Sequence, residues 1–249
     1  MWRHPRAPPL TARANLRWAV VSPILRGLRP GNVLELGCGQ GAAGARIAAV
    51  ARYTAVEPDE TSWRVAEARI APLGGSVLHG DHHTLPDGAA FDLVCAFEVL
   101  EHIADDHAAL AEWVQLVRRG GHVLLSVPAD PERFGPSDEL VGHHRRYTPE
   151  ALRKLLTEVG CVEVVLRRYG WPLDNLLERM RNRIAERRVA SAARTAEERS
   201  AGSGRFLQPD GVAAGPLVWV CAAPFTWLQR LAPNRGPGLV ALARRPDEG

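Results

Sequence analysis

From Asn32 onward the chain alternates short apolar runs with longer segments whose apolar positions recur at helical spacing. The short runs predict strands at Val33–Leu36, Tyr53–Val56, Ser76–Leu78, Phe91–Phe97, His122–Val127, Val162–Arg167 and Gly238–Ala243. Runs apolar on both faces, separated by helices, predict a doubly wound α/β sheet. Leu110, Trp113, Val114 and Val117 mark one helix face within Asp106–Arg119. Thr148-Pro149-Glu150 supplies a cap, a first-turn proline and a first-turn acid for a second helix that Gly160 closes. Upstream, Leu16, Val20, Ile24 and Leu28 predict a helix over Thr11–Leu28 that Pro23 breaks.

The final third reads differently. Leu176, Leu177, Met180 and Ile184 recur at helical spacing among Arg179, Arg181, Arg183, Arg187 and Arg188, which predicts a basic amphipathic helix. A Ser-Ala-Gly-Ser-Gly break at 200–204 follows, and then an apolar run, Val212–Leu231, that carries Trp219, Phe225 and Trp227. Pro216 and Pro224 interrupt that run, so it is not expected to cross a bilayer. The expected organisation is an arm and helix at 1–29, a core formed by 30–170 with 237–249, and a helical insertion at 171–236.

Composition narrows the choices. With 249 residues and 46% hydrophobic content the chain can bury a full core, and a net charge of +3 is too small for a dedicated nucleic-acid binder. Cys38, Cys95, Cys161 and Cys221 stand far apart, which fits a reducing cytoplasm better than a disulfide or zinc framework. The acid-free, arginine-bearing stretch 1–34 lacks the serine content of a transit peptide and the apolar core of an export signal, so cytoplasmic placement is expected.

The sharpest local signal is Val33-Leu34-Glu35-Leu36-Gly37-Cys38-Gly39-Gln40-Gly41, a strand that runs into alternating glycines and an Ala-rich helix. Glycines there let backbone approach a ligand, though tight strand-to-helix turns also use them for steric reasons alone. The second strand ends at Val56-Glu57-Pro58, where a carboxylate can accept both hydroxyls of a ribose; as a bare turn acid it would only start the helix near Asp59. A nicotinamide dehydrogenase also fits a glycine loop with a following acid, but gives no reason for an acid at Asp81 or for the run Phe97-Glu98-Val99-Leu100-Glu101-His102.

Four motifs in order, Val33 to Gly41, Glu57, Gly80-Asp81 and Phe91 to His102, make the chain resemble the class I S-adenosylmethionine-dependent methyltransferases, in the broad group that includes the ubiquinone and menaquinone methyltransferases. The resemblance covers about residues 30–170 and the final strand. It implies a Rossmann-like, mostly parallel sheet whose last strand is antiparallel, with the helical insertion before it. It also implies S-adenosyl-L-methionine as cofactor and S-adenosyl-L-homocysteine as product. Glu57 with Pro58 would hold the ribose, Asp81 the adenine amino group, and the backbone of Gly37, Cys38 and Gly39, leading to Gly41, would face the methionine portion, with Glu35 bracing the loop. His82 would flank the adenine, while Phe97, Glu98, Val99 and His102 would wall the methionine portion.

Methyl transfer from a sulfonium needs the nucleophile, carbon and sulfur in line, and a histidine helps where the acceptor is a hydroxyl or protonated amine. The segment Val141 to Tyr147 follows the fifth strand and falls over the carboxyl ends of the sheet. Within it His144 is the expected catalytic residue, and His143, Arg145, Arg146 and Tyr147 are expected to meet the acceptor, the arginines clamping a carboxylate or phosphate. The plainer alternative is that these residues cap the next helix and pair with Asp138 and Glu139. No metal is expected: His79, Asp81, His82 and His83 match no zinc spacing, and the acidic set of the metal-dependent catechol-type relatives is incomplete at Phe97-Glu98 and Pro128-Ala129-Asp130.

The resulting expectation is an enzyme that methylates a small-molecule or lipid-like acceptor, with oxygen the favoured atom and no nucleic-acid partner. A cofactor-binding protein without methyl transfer is the alternative. The insertion would serve as a lid, as a homodimer contact or as a peripheral membrane contact, the lid being preferred.

Overall fold

The structure, a computed structural model, describes residues 8–189, 224–229, 231–232 and 234–247. Helix α1 (Ala12–Leu28) leads into strand β1 (Asn32–Leu36) and the short helix α2 (Gly44–Ala48). There follow β2 (Arg52–Glu57), α3 (Glu60–Ile70), β3 (Ser76–His79), β4 (Phe91–Phe97) and α4 (Asp106–Gln115). The chain continues through β5 (Val117–Pro128), α5 (Pro136–Val141), α6 (Pro149–Glu158), β6 (Val162–Tyr169), α7 (Leu173–Val189) and β7 (Gly238–Arg244).

The seven strands form one sheet in the order β3-β2-β1-β4-β5-β7-β6. Strands β1 to β5 pair in parallel, and β7 runs antiparallel between β5 and β6. This is the Rossmann-like sheet expected from the sequence, antiparallel last strand and preceding insertion included. Both faces are covered. Leu110, Trp113, Val114, Leu152 and Leu156 from α4 and α6 pack on one side, and Leu16, Val21, Leu25, Ile47, Ala66 and Ile70 from α1, α2 and α3 on the other. Strand order reverses between β1 and β4, so the chain leaves these two strands toward opposite faces and opens a crevice beyond their carboxyl ends.

Caps set the helix starts. Thr11 accepts from the Ala14 amide at 3.2 Å, Asp59 from Ser62 at 2.9 Å and Thr148 from Ala151 at 3.0 Å. Two boundaries differ from expectation. Helix α1 is continuous through Pro23, because Leu16, Val21 and Leu25 are buried on its inner side and their packing outweighs one missing hydrogen bond. Helix α4 stops at Gln115 rather than reaching Arg119, because Val117 already pairs with Phe91 and opens β5.

Helix α7 also departs from the pattern that predicted it. Its fully covered positions include Asp174 and Glu178, whereas Leu176 is 65% and Met180 50% exposed. The helix docks by these acids together with Leu173 and the fully buried Ala185, not by the stripe of Leu176 and Met180. Among the described residues no helix is long and apolar enough to cross a membrane. The run 212–231 lies outside the described residues except for 224–229 and 231; there Phe225 packs against the core and Trp227 is exposed. Cys38, Cys95 and Cys161 are free thiols, and Cys221 lies outside the described residues.

Candidate active site

The glycine turn sits on the crevice edge. The amide of Gly37 donates to Val56 O at 2.9 Å, and that of Gly39 to Glu57 Oε2 at 2.7 Å. Gly37 and Gly39 have φ of 65° and 55°, a left-handed conformation that costs glycine least. A Cβ at Gly37 would lie 2.8 Å from Val99, whereas above Gly39 nothing stands within 4 Å. The turn therefore offers backbone to an open space. Below it Glu35 is buried and accepts from the Tyr53 hydroxyl at 2.5 Å. Burial pushes the Glu35 carboxyl up to about 7, against the pull of that hydrogen bond.

Glu57 closes β2. Its second carboxylate oxygen accepts from the Asp59 amide at 3.0 Å, so one side chain ties the glycine turn to the start of α3. Burial raises its pKa, and the two backbone hydrogen bonds oppose that rise. The Gly80 amide donates to the Glu57 carbonyl at 3.0 Å, which brings Asp81 to the same edge, one strand further along. Asp81 is exposed and caps the turn His82–Thr84 through the His83 amide, 2.9 Å away. Pro58 holds His79 through its carbonyl, 3.1 Å from Nε2, and His82 Nε2 lies 2.6 Å from Glu112 of α4.

Beyond β4 the residues are tightly committed. Glu98, at φ 60°, accepts from Ser126 Oγ at 3.0 Å and from the Tyr169 hydroxyl at 2.9 Å. It faces Arg13 at 2.8 Å and Arg17 at 3.8 Å, both from α1. Burial alone would raise its carboxyl, but the two guanidinium groups hold it down at about 2. Arg17 also lies over the Phe97 ring, 5.2 Å from the centroid. Arg13 spans Glu98 and, at 3.4 Å, Asp174 of α7.

Glu101 is fully buried, and among the described residues neither of its carboxyl oxygens has a hydrogen-bond partner. Burial and then the charge of Glu98 push its pKa well up, which favours its neutral form. Burial and the nearby His143 lower His102 to about 4, leaving it neutral. His102 and His143 meet edge to face, with ring centroids 4.7 Å apart. Glu101, His102 and His143 bring one ligating atom each within 4.8 Å of one another, as do the more exposed Asp81, His82 and His83.

The run expected to serve the acceptor divides. His143 turns inward, only 10% exposed, with Nδ1 at 2.7 Å from Asp138 and Nε2 at 3.8 Å from Glu101. His144 is exposed and touches this cluster through its backbone amide, which donates to the Glu101 carbonyl at 2.8 Å. Arg145 pairs with Asp106 at 2.6 Å. Arg146 is buried against Asp138 and Glu178, and the Tyr147 hydroxyl donates to Asp106 at 2.8 Å. Pairing with local acids, the plainer alternative, describes both Arg146 and His143 with Asp138.

Arg13, Arg17, Glu101, Asp138, Tyr169 and Glu178 were not singled out as site residues from sequence. Arg13 and Arg17 stand one helical turn apart, so they share a face of α1; that spacing within an acid-free stretch was the available signal. Glu101 lay inside the motif after the fourth strand, but nothing in its local sequence says that its carboxyl is buried with no hydrogen-bond partner among the described residues.

A family model described as "Methyltransferase domain" matches residues 12–165. A protein of Mycobacterium tuberculosis named as a probable S-adenosylmethionine-dependent methyltransferase is 33% identical over 141 residues, covering 54% of this chain and 50% of its own length. The ubiquinone biosynthesis O-methyltransferase of Aromatoleum aromaticum is 35% identical over 107 residues, 40% of this chain and 45% of the relative. The chain thus spans about half the length of the curated relatives it matches. Among solved structures, the Haloferax volcanii complex of the Trm112 methyltransferase activator with a methyltransferase contains a chain that superposes with a TM-score of 0.59 at 19% identity, over 92% of this chain and 90% of that one.

Proposed function

Because the chain belongs to the methyltransferase-domain family and is a class I S-adenosylmethionine-dependent methyltransferase by fold and motif, we propose that it transfers a methyl group to a hydroxyl of a small-molecule acceptor. One observation carries the reading. Glu57 accepts from Gly39 and lends its carbonyl to Gly80, so the glycine turn, the acid at the end of β2 and Asp81 line one continuous edge beside open space. A nucleoside fits such an edge: backbone amides and carboxylates recognise its hydroxyls and exocyclic amine. Glu57 is the residue for the ribose and Asp81 for the adenine amine. Arg17, above Phe97, is placed for the methionine carboxylate.

When bound, S-adenosylmethionine supplies a sulfonium-activated methyl group and leaves as S-adenosylhomocysteine. The remaining chemistry falls to the protein. A hydroxyl acceptor loses a proton on methylation, so a base at the reacting edge assists. His143 suits that task better than the exposed His144. A carboxylate accepts at its Nδ1, which leaves Nε2 as the basic nitrogen. His102, lowered to about 4 by burial, stays neutral beside it and adds no competing positive charge. The similarity to an O-methyltransferase supports oxygen as the methylated atom. Helix α7 supports the lid reading of the insertion, since it packs beside the edge through Asp174 and Glu178.

The test is calorimetric titration with S-adenosylhomocysteine, followed by transfer of labelled methyl from S-adenosylmethionine to a panel of phenolic acceptors. Glu57→Ala should weaken binding about 10- to 100-fold, as loss of charge-assisted hydrogen bonds does. His143→Ala should lower turnover with little change in cofactor affinity, and His144→Ala should do neither. Failure of the wild-type protein to bind either form of the cofactor would sink the proposal. Binding without transfer to any acceptor would favour a cofactor-binding protein instead.

A further inference from the structure

Asp138 is held from three directions. Its own helix start uses it, the Gly135 amide donating to Oδ2 at 3.0 Å. Arg146 donates from Nε to both carboxylate oxygens at 3.0 Å and from a terminal nitrogen to Oδ2 at 2.7 Å. His143 takes the remaining approach at Oδ1. These contacts pull the Asp138 carboxyl down to about 2, against the effect of burial. Two-pronged guanidinium binding fixes the plane of the carboxylate, and with it the direction from which a histidine N–H must approach.

Arg146 is itself held by the insertion. Its other terminal nitrogen meets Glu178 of α7 at 2.5 Å, and Arg133 engages Glu178 and, at 3.0 Å, Asn175. One turn along, Asn182 accepts from the Ser137 amide at 3.2 Å; one turn back, Asp174 meets Arg13 and Arg181. Asp174, Glu178 and Asn182 thus form a polar stripe at four-residue spacing, of which Glu178 and Asn182 lie against the segment that carries Asp138 and Asp174 faces α1. A buried ion pair is a poor source of stability compared with apolar packing, so such a stripe is better explained by the geometry it imposes.

We propose that Glu178 is a positioning residue for His143, acting through Arg146 and Asp138, so that the insertion sets the ring orientation and tautomer at the reacting edge. This rests on the reading of His143 as the proton-accepting group. With Glu178 present, both ends of the Arg146 fork are occupied and Asp138 Oδ1 stands 2.7 Å from His143 Nδ1. Without it, that end keeps only a long hydrogen bond to the Ala129 carbonyl at 3.4 Å, Asp138 gains freedom to rotate, and the Nδ1–H form of His143 loses its advantage.

The experiment uses the full chain labelled with 15N-histidine, reading tautomers from two-bond 1H–15N spectra, with His143→Gln to assign the signal. The wild type should show one dominant Nδ1–H form. Glu178→Ala should move His143 toward a mixture of tautomers, Glu178→Asp should restore it in large part, and Glu178→Ala should add nothing in an Asp138→Asn background. A merely structural Glu178 would lower the melting temperature and leave the His143 signal unchanged, which would overturn the proposal. Should Glu178→Ala not fold, Glu178→Gln keeps the shape and removes the charge; an unchanged His143 signal there has the same force. Whether His143 takes the proton is decided separately by His143→Gln in the methyl-transfer assay, so the two readings fail independently.

Discussion

Four glutamates along the carboxyl edge of the sheet, at 35, 57, 98 and 101, have the same side chain and different chemistry. Glu98 is anionic because two arginines face it, Glu101 is pushed toward its protonated form because burial and the charge of Glu98 outweigh the pull of those arginines, and Glu35 titrates near 7 in the core. For Glu35 the folded state holds a proton that the unfolded chain gives up from about pH 4.5. Stability should therefore fall as pH rises from about 4.5 to 7, by about 3 kcal/mol at 1.4 kcal/mol per tenfold shift. Glu35→Gln should abolish that slope in denaturant titrations at pH 5 and pH 8; an equal slope in both proteins would refute the assignment. Asp138 works in the opposite sense: its depressed pKa contributes stability above about pH 4 that is lost as pH falls through about 2. Asp138→Asn should be destabilised by about 3 kcal/mol at pH 7 and have a shallower acid limb in the same titrations. The sequence placed the glycine turn, Glu57, Asp81 and the His-His-Arg-Arg-Tyr run on one edge. It could not say which of two adjacent histidines faces inward, because that depends on the backbone of a loop closed on one side by the nearby Asp138 and on the other by Glu101, a distant partner with no local signature.

Helix α7 shows where periodicity stops being informative. The repeat of Leu176, Leu177, Met180 and Ile184 located the helix, yet the interleaved acids decide which side is buried, since arginines from α1 and from the segments around α5 wait for them. Leu176→Ser should consequently change unfolding free energy by no more than about 0.5 kcal/mol, whereas Asp174→Ala should cost about 3 kcal/mol by taking the carboxylate from Arg181 and leaving Arg13 with Glu98 alone. Chemical denaturation of the two variants tests this directly; a costly Leu176→Ser with a harmless Asp174→Ala would reverse the assigned faces. Helix α6 is the contrasting case. Its cap, first-turn proline, buried Leu152 and Leu156 and closing Gly160 were all readable, because every determinant is local. Its Thr148→Ala variant should lose about 1 kcal/mol. The end of α4 was less readable, for the pairing of Val117 with Phe91 is a long-range choice.

The sheet was legible because alternation of apolar runs with periodic segments admits few topologies, and the turn after β1 fixes where ligands are met. The relation of the core to its flanks was not, since it is written in single charges far apart in sequence. Arg13 touches Glu98 at the sheet and Asp174 in the insertion, while Arg133 and Arg146 share Glu178. These ties make the insertion a poor candidate for exchange between relatives. A chimera that kept the first 170 residues and borrowed a helix without acids at these two places would leave Arg13, Arg133 and Arg146 each short of an anion. The acids of this helix and the arginines that face them must therefore be transplanted as a set.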